Sequence, residues 1–591
     1  MRRHESISPV GTRGLWLLGA VGAVSLLLAG CTLPSLTRGQ AEDEAEGARY
    51  DIPTVGERTT VANAEPVSLG GVGLVTGLEG AGGDCNADGY RSMLANELRR
   101  ERIDNVNEVL RSPDNALVIV EASMQPGAGK GDRIDVDVKL PPGSKATSLR
   151  GGRLKMCYLF NYDFARNLRG DYQGAQNMLL GHKLAVAEGP VLVSLNDGDE
   201  AARVKVGRIW GGAKLMRDNP LALAMNLNNQ FASLTSLISD RVNTTFQANI
   251  RDPMQAKIAA TSDKQSVAIR VPAQYRLNMP RYLRVVRFIP LSDATNAPSK
   301  NPREKRTYSQ LLADDLLDPT RTVIAALRLE AMGQGSMPTL EKGLKSEHPL
   351  VRFCSAEALA YLGNPRSGEA LGQAAKSPLL RSYALAALAS LDEAVCHLEL
   401  RKLIIEDGDA DLRYGAFRAL RALDENDDAV QGERLNESFW LHRVAPEGRP
   451  FVHISTTKRA EVVLFGETPR LKGPFSLLAG EFAITATKDD ARVNISRVPL
   501  RREAARRQCG FELEEVLRCM AELGAAYSEI LAMLQQANSA DCLSCKICVD
   551  ALPRVTDIKD LVKSGKEDID LLPAGQDLGT VPSLYRGQKR E

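Results

Sequence analysis

A repeat of about thirty residues in the middle of the chain constrains its architecture more than any other feature. Arg321, Arg352, Arg381 and Arg413 follow one another at spacings of 31, 29 and 32, and the Ala-Leu pairs 326–327, 358–359, 387–388 and 419–420 recur at 32, 29 and 32. Val351, Leu380 or Leu412 stands before the arginine in the last three copies. Pro319, Pro349 and Pro378 stand where helices would start, a place where a missing N–H costs little. A unit this short cannot bury its own apolar face, so neighbouring copies must share one. The spacing predicts an α-solenoid of helix pairs over residues 319–428, with alanines letting helices approach and leucines filling the seam. Such a stack offers an extended face to a protein partner, or serves as a rigid spacer.

The repeats are similar to short HEAT-like repeats, and they occupy only part of the chain. With 591 residues, about three to five folded units are expected. Lys and Arg number 75 against 74 Asp and Glu, so there is no basic field to attract nucleic acid and no acidic excess to keep the chain unfolded.

The start of the chain reads as an export signal over residues 1–30. Arg2, Arg3 and Arg13 precede the apolar run Leu15–Ala29, which is long enough for a signal but short of the roughly 20 residues that span a bilayer. The run ends in Leu28-Ala29-Gly30-Cys31, which resembles the lipobox of bacterial lipoproteins. That resemblance implies cleavage before Cys31 and acyl chains on its sulfur and amine, which give stable membrane attachment. Thr32 rather than Asp follows, which favours the outer membrane under the enterobacterial sorting rule. Residues 31–66, with Glu42-Asp43-Glu44-Ala45-Glu46 at their centre, lack the apolar content to build a core and are expected to form a tether.

Residues 67–291 are expected to form the first folded unit, of α/β or α+β class. Val67–Leu78 is apolar and rich in glycine, Tyr90–Arg102 has helical spacing, and Leu117–Val120 and Ile134–Val138 read as strands, as do Leu184–Ala187, Val191–Val193, Val267–Val271 and Leu283–Phe288. Asp218 or Asn219 is expected to cap a helix with Pro220 in its first turn and Leu223, Leu227, Phe231, Leu234, Ile238 and Val242 along one face. Five segments here resemble, in order, signatures of the flagellar P-ring protein family. They are Gly73-Leu74-Val75-Thr76-Gly77-Leu78-Glu79-Gly80, Lys130-Gly131-Asp132-Arg133-Ile134-Asp135-Val136, Ser148-Leu149-Arg150-Gly151-Gly152-Arg153-Leu154, Ala185-Val186-Ala187-Glu188-Gly189-Pro190-Val191 and Gly207-Arg208-Ile209. The resemblance implies a structural subunit that assembles with its own kind in the periplasm around the flagellar rod, against peptidoglycan. Its glycines read as fold signatures that permit tight turns. Pro126–Gly131 is not a phosphate loop, because no Ser or Thr follows Gly129-Lys130 and the glycine spacing fails. The lipobox and the 300 residues after position 291 depart from the family plan. They leave open a second reading, an anchored scaffold that reuses the fold and binds a protein on its repeats.

Residues 292–318, with Pro298, Pro302 and Arg303-Glu304-Lys305-Arg306, read as a linker. Residues 429–500 read as a small β-rich domain, with strands at Phe451–Ile454, Glu461–Phe465, Glu481–Thr485 and Ala491–Ile495. Residues 501–591 read as a helical, cysteine-containing tail with one long helix over Phe511–Gln536 and a mobile end. Cys542, Cys545 and Cys548 form the local cluster, with Cys509 and Cys519 nearby. An oxidising compartment favours disulfides among them. A metal site with Cys509 or Cys519 as fourth ligand and free thiols are the other readings. The six histidines include no zinc motif, no nucleophile elbow occurs, and His453 sits in an alternating strand. The chain therefore reads as a non-enzyme that needs no cofactor.

Overall fold

A computed structural model describes residues 50, 52–553 and 582–584, apart from 85–88, 101, 104, 162–181, 194–203, 248–256, 262, 294–305, 407, 445–446, 457–458 and 499–503. The export signal, Cys31 and Cys85 lie outside the described residues.

The folded part begins before the expected boundary at 66. Its first elements are α1 (Val55–Arg58) and β1 (Thr59–Ala62), followed by β2 (Val67–Thr76), α2 (Gly89–Arg100), α3 (Val106–Arg111), β3 (Asn115–Met124), β4 (Arg133–Lys139) and β5 (Arg153–Asn161). Then come β6 (Ala185–Pro190), β7 (Leu192–Val193), β8 (Val206–Leu215) and β9 (Leu221–Met225). The unit ends with α4 (Ala232–Gln247), β10 (Ala259–Thr261), β11 (Ser266–Ile269) and α5 (Met279–Phe288).

Every strand pair here is antiparallel, so the class is α+β and the α/β option falls. β2 pairs with β3, β3 with β4, β4 with β8, β8 with β6, β6 with β5 and β5 with β2, which closes a barrel without edges. Leu69, Val75, Val118, Val136, Leu154 and Leu159 fill its interior. On the outside, Leu94 and Leu98 of α2 and Leu110 of α3 cover Val72, Leu74, Leu117 and Ile119. β2 and β3 are thus buried on both faces, which is why they read as continuous apolar runs. Gly71 shows what the glycine pattern does. A Cβ there would stand 2.6 Å from the Tyr158 carbonyl oxygen of β5, so closure at this point requires a residue with no side chain.

A second sheet runs β1-β9-β11-β10. The helix expected from Pro220 onward is here a strand followed by a separate helix. Leu221, Leu223 and Met225 are buried and alternate with half-buried Ala222 and Ala224, a period of two that pairing on both sides satisfies. The strand expected at Leu283–Phe288 is the helix α5. Asn278 accepts a hydrogen bond from the Arg281 N–H and Pro280 lies in the first turn, start signals that outweigh the β-branched content.

The expected linker also holds a helix, α6 (Tyr308–Leu317), begun by a reciprocal capping box between Thr307 and Gln310. Then follow α7 (Thr322–Ala331), α8 (Met337–Gly343), α9 (Pro349–Tyr361), α10 (Gly368–Ala375), α11 (Arg381–Leu388), α12 (Ala394–Ile405) and α13 (Ala410–Leu423). α7, α9, α11 and α13 lie side by side in that order, with α8, α10 and α12 packed behind them. Ala325, Ala356, Ala384 and Ala416 are fully buried at the seams. The last three recurring arginines share a task, donating to carbonyls at or just past the end of the preceding helix, whereas Arg321 pairs with Asp315 at 3.4 Å. Arg352 donates to Ser346 O at 2.8 Å, Arg381 to Ala375 O at 3.1 Å and Arg413 to Ile404 O at 2.8 Å.

The C-terminal part comprises β12 (Gly432–Leu435), β13 (Phe439–Arg443), β14 (Phe451–Ile454), β15 (Glu461–Phe465), β16 (Phe475–Ala479), β17 (Phe482–Ala486), β18 (Val493–Arg497) and β19 (Ala505–Cys509). α14 (Leu513–Glu522), α15 (Tyr527–Ser539) and β20 (Lys546–Val549) complete it. The boundary expected at 500 is not a boundary of packing. β19 extends the β16-β17-β18 meander, β20 extends the β12-β13-β15-β14 sheet, and both helices share one core with both sheets. The single helix expected over 511–536 is two helices, because Gly524 at φ +90° turns the chain between them. Close to the end of the chain, Ser583 N donates to Leu277 O at 2.8 Å and Leu584 is buried, so this part of the tail is packed.

Candidate functional site

The segments that carry the P-ring resemblance converge on one wall. Gly77–Glu79, Asp132–Asp135, Arg150–Arg153, Glu188–Val191 and Arg208–Ile209 all line a cleft of about 3120 Å³ between the barrel and the C-terminal part. Three of their charged side chains hold strands together. Arg208 Nε donates to Asp137 at 2.7 Å, Asp135 accepts from the Gly211 N–H at 2.8 Å, and Arg133 donates to Gly211 O at 3.2 Å, all across the β4–β8 pair. The opposite wall is braced in the same way, by Arg497 to Glu481 at 3.0 Å and to Leu523 O at 2.8 Å. The C-terminal part is also fastened to the barrel directly. Leu192 of β7 belongs to its core, and Trp210 of β8 meets the Tyr527 ring edge-on at 5.6 Å.

Two buried ionic clusters hold the helical stack between these parts. At its start, Arg281 of α5 reaches Glu330 of α7 at 2.5 Å and Glu357 of α9 at 2.6 Å. Tyr275 donates to the other Glu330 oxygen at 2.6 Å and stacks on Tyr361 at 4.6 Å. Arg281 faces two carboxyls in a buried site, with Arg284 a weaker cationic influence on Glu357. Burial pushes Glu357 up to about 7, against the pull of Arg281 and with repulsion from Glu330. Glu330, which accepts from both Arg281 and Tyr275, is the better partner for the charge.

At the far end, Arg418 of α13 and Glu461 of β15 are both fully buried and lie 3.3 Å apart. Tyr414 also donates to Glu461. Burial would raise the Glu461 pKa, but Arg418 and then His442 overcome it and hold it down at about 2. Tyr527 donates to Ser455 O at 2.7 Å and Glu461 O at 2.9 Å. His453, placed by the sequence in an alternating strand, is fully buried, stacks on Tyr414 at 3.4 Å and accepts from Ala551 N at 3.1 Å. Burial lowers both His442 and His453 to about 4.

The cysteines expected to cluster do not all meet. No disulfide joins two of the eight described cysteines. Cys509 and Cys519 are in thiol contact across β19 and α14. Cys542 donates to Ala537 O at 3.4 Å, and among the described residues Cys542, Cys545 and Cys548 do not bring three sulfurs within 4.8 Å. A group unnoticed in the sequence does come together, His397 with Asp424 and Asp427, but Arg401 already supplies a positive charge to Asp427 at 2.8 Å.

Comparison with known proteins places this geometry beside one family. Residues 55–298 match the family model described as flagellar P-ring protein, a span that covers the barrel, the second sheet and α5. The flagellar P-ring protein of Rhizobium etli is 30% identical over 264 residues, 42% of this chain and 62% of that protein. Those of Nitrosospira multiformis and Helicobacter hepaticus are 30% and 28% identical, and the matches cover 38% and 37% of this chain. The chain spans 62%, 57% and 55% of the length of these three relatives.

Proposed function

We propose that this chain is a structural subunit of the P-ring kind, anchored by lipid at Cys31 to the periplasmic face of the outer membrane. Copies pack head to tail through residues 55–298 into a ring around the flagellar rod and serve motility. The supporting observation is the family match over one closed barrel and its second sheet, with the family's signature segments gathered on one wall. Heterologous contacts of one sense close into a ring when the rotation per subunit divides a full turn. In this reading residues 319–428 are HEAT-like repeats that act as a brace, since the ionic clusters at their two ends fix the C-terminal part against the barrel.

Two tests address this. Cys31→Ala is expected to move the protein from the membrane pellet to the soluble fraction while its helical and sheet content by circular dichroism stays unchanged. Retention in the pellet contradicts the anchor. Basal bodies isolated from motile cells are expected to contain the chain, and a deletion strain is expected to lose motility. A motile deletion strain with intact basal bodies overturns the ring role.

A further inference from the structure

The sequence from Asn226 to Ser239 is fourteen residues without a charge, in a chain that is 25% charged. Leu227 is 88% exposed, Phe231 61% and Leu237 40%, so three large apolar side chains stand in water on one tip of the P-ring-like part. Around them are Asn228, Asn229, Gln230, Ser233 and Ser236, all uncharged. An exposed apolar patch in a polar rim, where Arg58 binds Asn229 at 3.3 Å, marks a surface that something covers.

The chain path says what covers it. β1 pairs with β9 from Thr59–Met225 to Ala62–Ala222, and the loop that follows β9 is tied to the residues just before β1. Asn226 N donates to Arg58 O at 3.0 Å, the Asn226 side chain donates to Glu57 O at 3.1 Å, and Arg58 donates to Asn229 at 3.3 Å. The apolar tip therefore sits where the N-terminal segment enters the fold. Cys31 precedes that entry at Pro53 by only 21 intervening residues. Even fully extended, the stretch from Cys31 to Pro53 reaches no more than about 80 Å. An acylated Cys31 keeps a bilayer within that distance of the tip.

We propose that the Leu227–Leu237 face rests on this lipid surface, as a second membrane contact beside the acylated N-terminus. It rests on the reading of Cys31 as lipidated. Phe231 and Leu227 enter the boundary between headgroups and acyl chains, where an aromatic ring is favoured, and the Asn, Gln and Ser side chains stay among the headgroups. The contact fixes the orientation of the P-ring-like part over the membrane, which an acyl chain on a long tether cannot do.

The test uses Phe231→Trp in the full lipidated chain, on phosphatidylethanolamine–phosphatidylglycerol vesicles with and without brominated acyl chains. Phe231 is exposed, so the exchange leaves the core intact. The expected result is that the emission added over the parent protein shifts to the blue on vesicles and is mostly lost with brominated lipid. A vesicle-bound protein whose added emission stays water-like and unquenched overturns the second contact while leaving the anchor standing. A blue shift that grows with protein concentration and needs no vesicles assigns the face to a second copy instead. A chain that fails to bind vesicles at all removes the anchor, and the proposal with it.

Discussion

Arg281→Ala is expected to lower the stability of the chain by about 3–5 kcal/mol, the cost typical of removing one partner from a buried ion pair. The loss does not come from the pair's own attraction, which desolvation largely offsets. It comes from what remains: Glu330 and Glu357, both buried, with no cation between them. Arg281 lies on the last helix of the P-ring-like part, whereas the two carboxyls lie on α7 and α9 of the stack. The variant should therefore raise hydrogen exchange first along α5 and α7. Arg281→Met combined with Glu330→Gln and Glu357→Gln should recover most of the loss, because no unpaired charge then stays buried. Chemical denaturation of the parent and the two variants checks this. An Arg281→Ala protein within about 1 kcal/mol of the parent would mean that the cluster does not join the two parts.

Glu461→Ala is expected to cost a similar 3–5 kcal/mol at the other end of the stack, since it removes the carboxylate 3.3 Å from the fully buried Arg418 and an acceptor of Tyr414. The same cluster makes the C-terminal part sensitive to acid. His442 and His453 have folded pKa values near 4, below their ordinary value of 6.5. Groups depressed in this way contribute stability that is complete above 6.5 and lost as pH falls through 4. Glu461, held at about 2, adds a further loss below its ordinary 4.5. Stability measured from pH 7 to pH 4 should therefore fall, and His453→Phe should flatten the fall by removing one buried proton site. An unchanged pH dependence in that variant would place the titrating groups elsewhere.

Much of this design was readable in the chain, and the misses have definite causes. The recurring arginines predicted stacked helices, and in the last three copies they meet the same local need, carbonyls at or just past a helix end. The glycines of Gly70-Gly71-Val72-Gly73, expected to permit tight turns, lie within β2, where Gly71 lets the Tyr158 carbonyl approach. What failed were contests between two local signals. At Leu221–Met225 a period of two was overlooked beside a looser helical spacing, and at Met279–Phe288 Val285 and Val286 hid a capping Asn and a first-turn Pro. Thr307 with Gln310 was a capping box inside a stretch read only for its prolines and charges. The clusters lay beyond any local reading. Arg281 and Glu330 are 49 residues apart and Tyr414 and Glu461 47, and no spacing rule links them. The cleft wall was half legible, because its segments were recognised as signatures, but their convergence needed the barrel to close.

Electron microscopy of the lipidated protein, purified in mild detergent over a range of concentrations, probes most directly whether residues 55–298 make a ring subunit. Closed rings of uniform diameter that form as concentration rises are the predicted outcome. Single particles of one chain's mass at every concentration would contradict it.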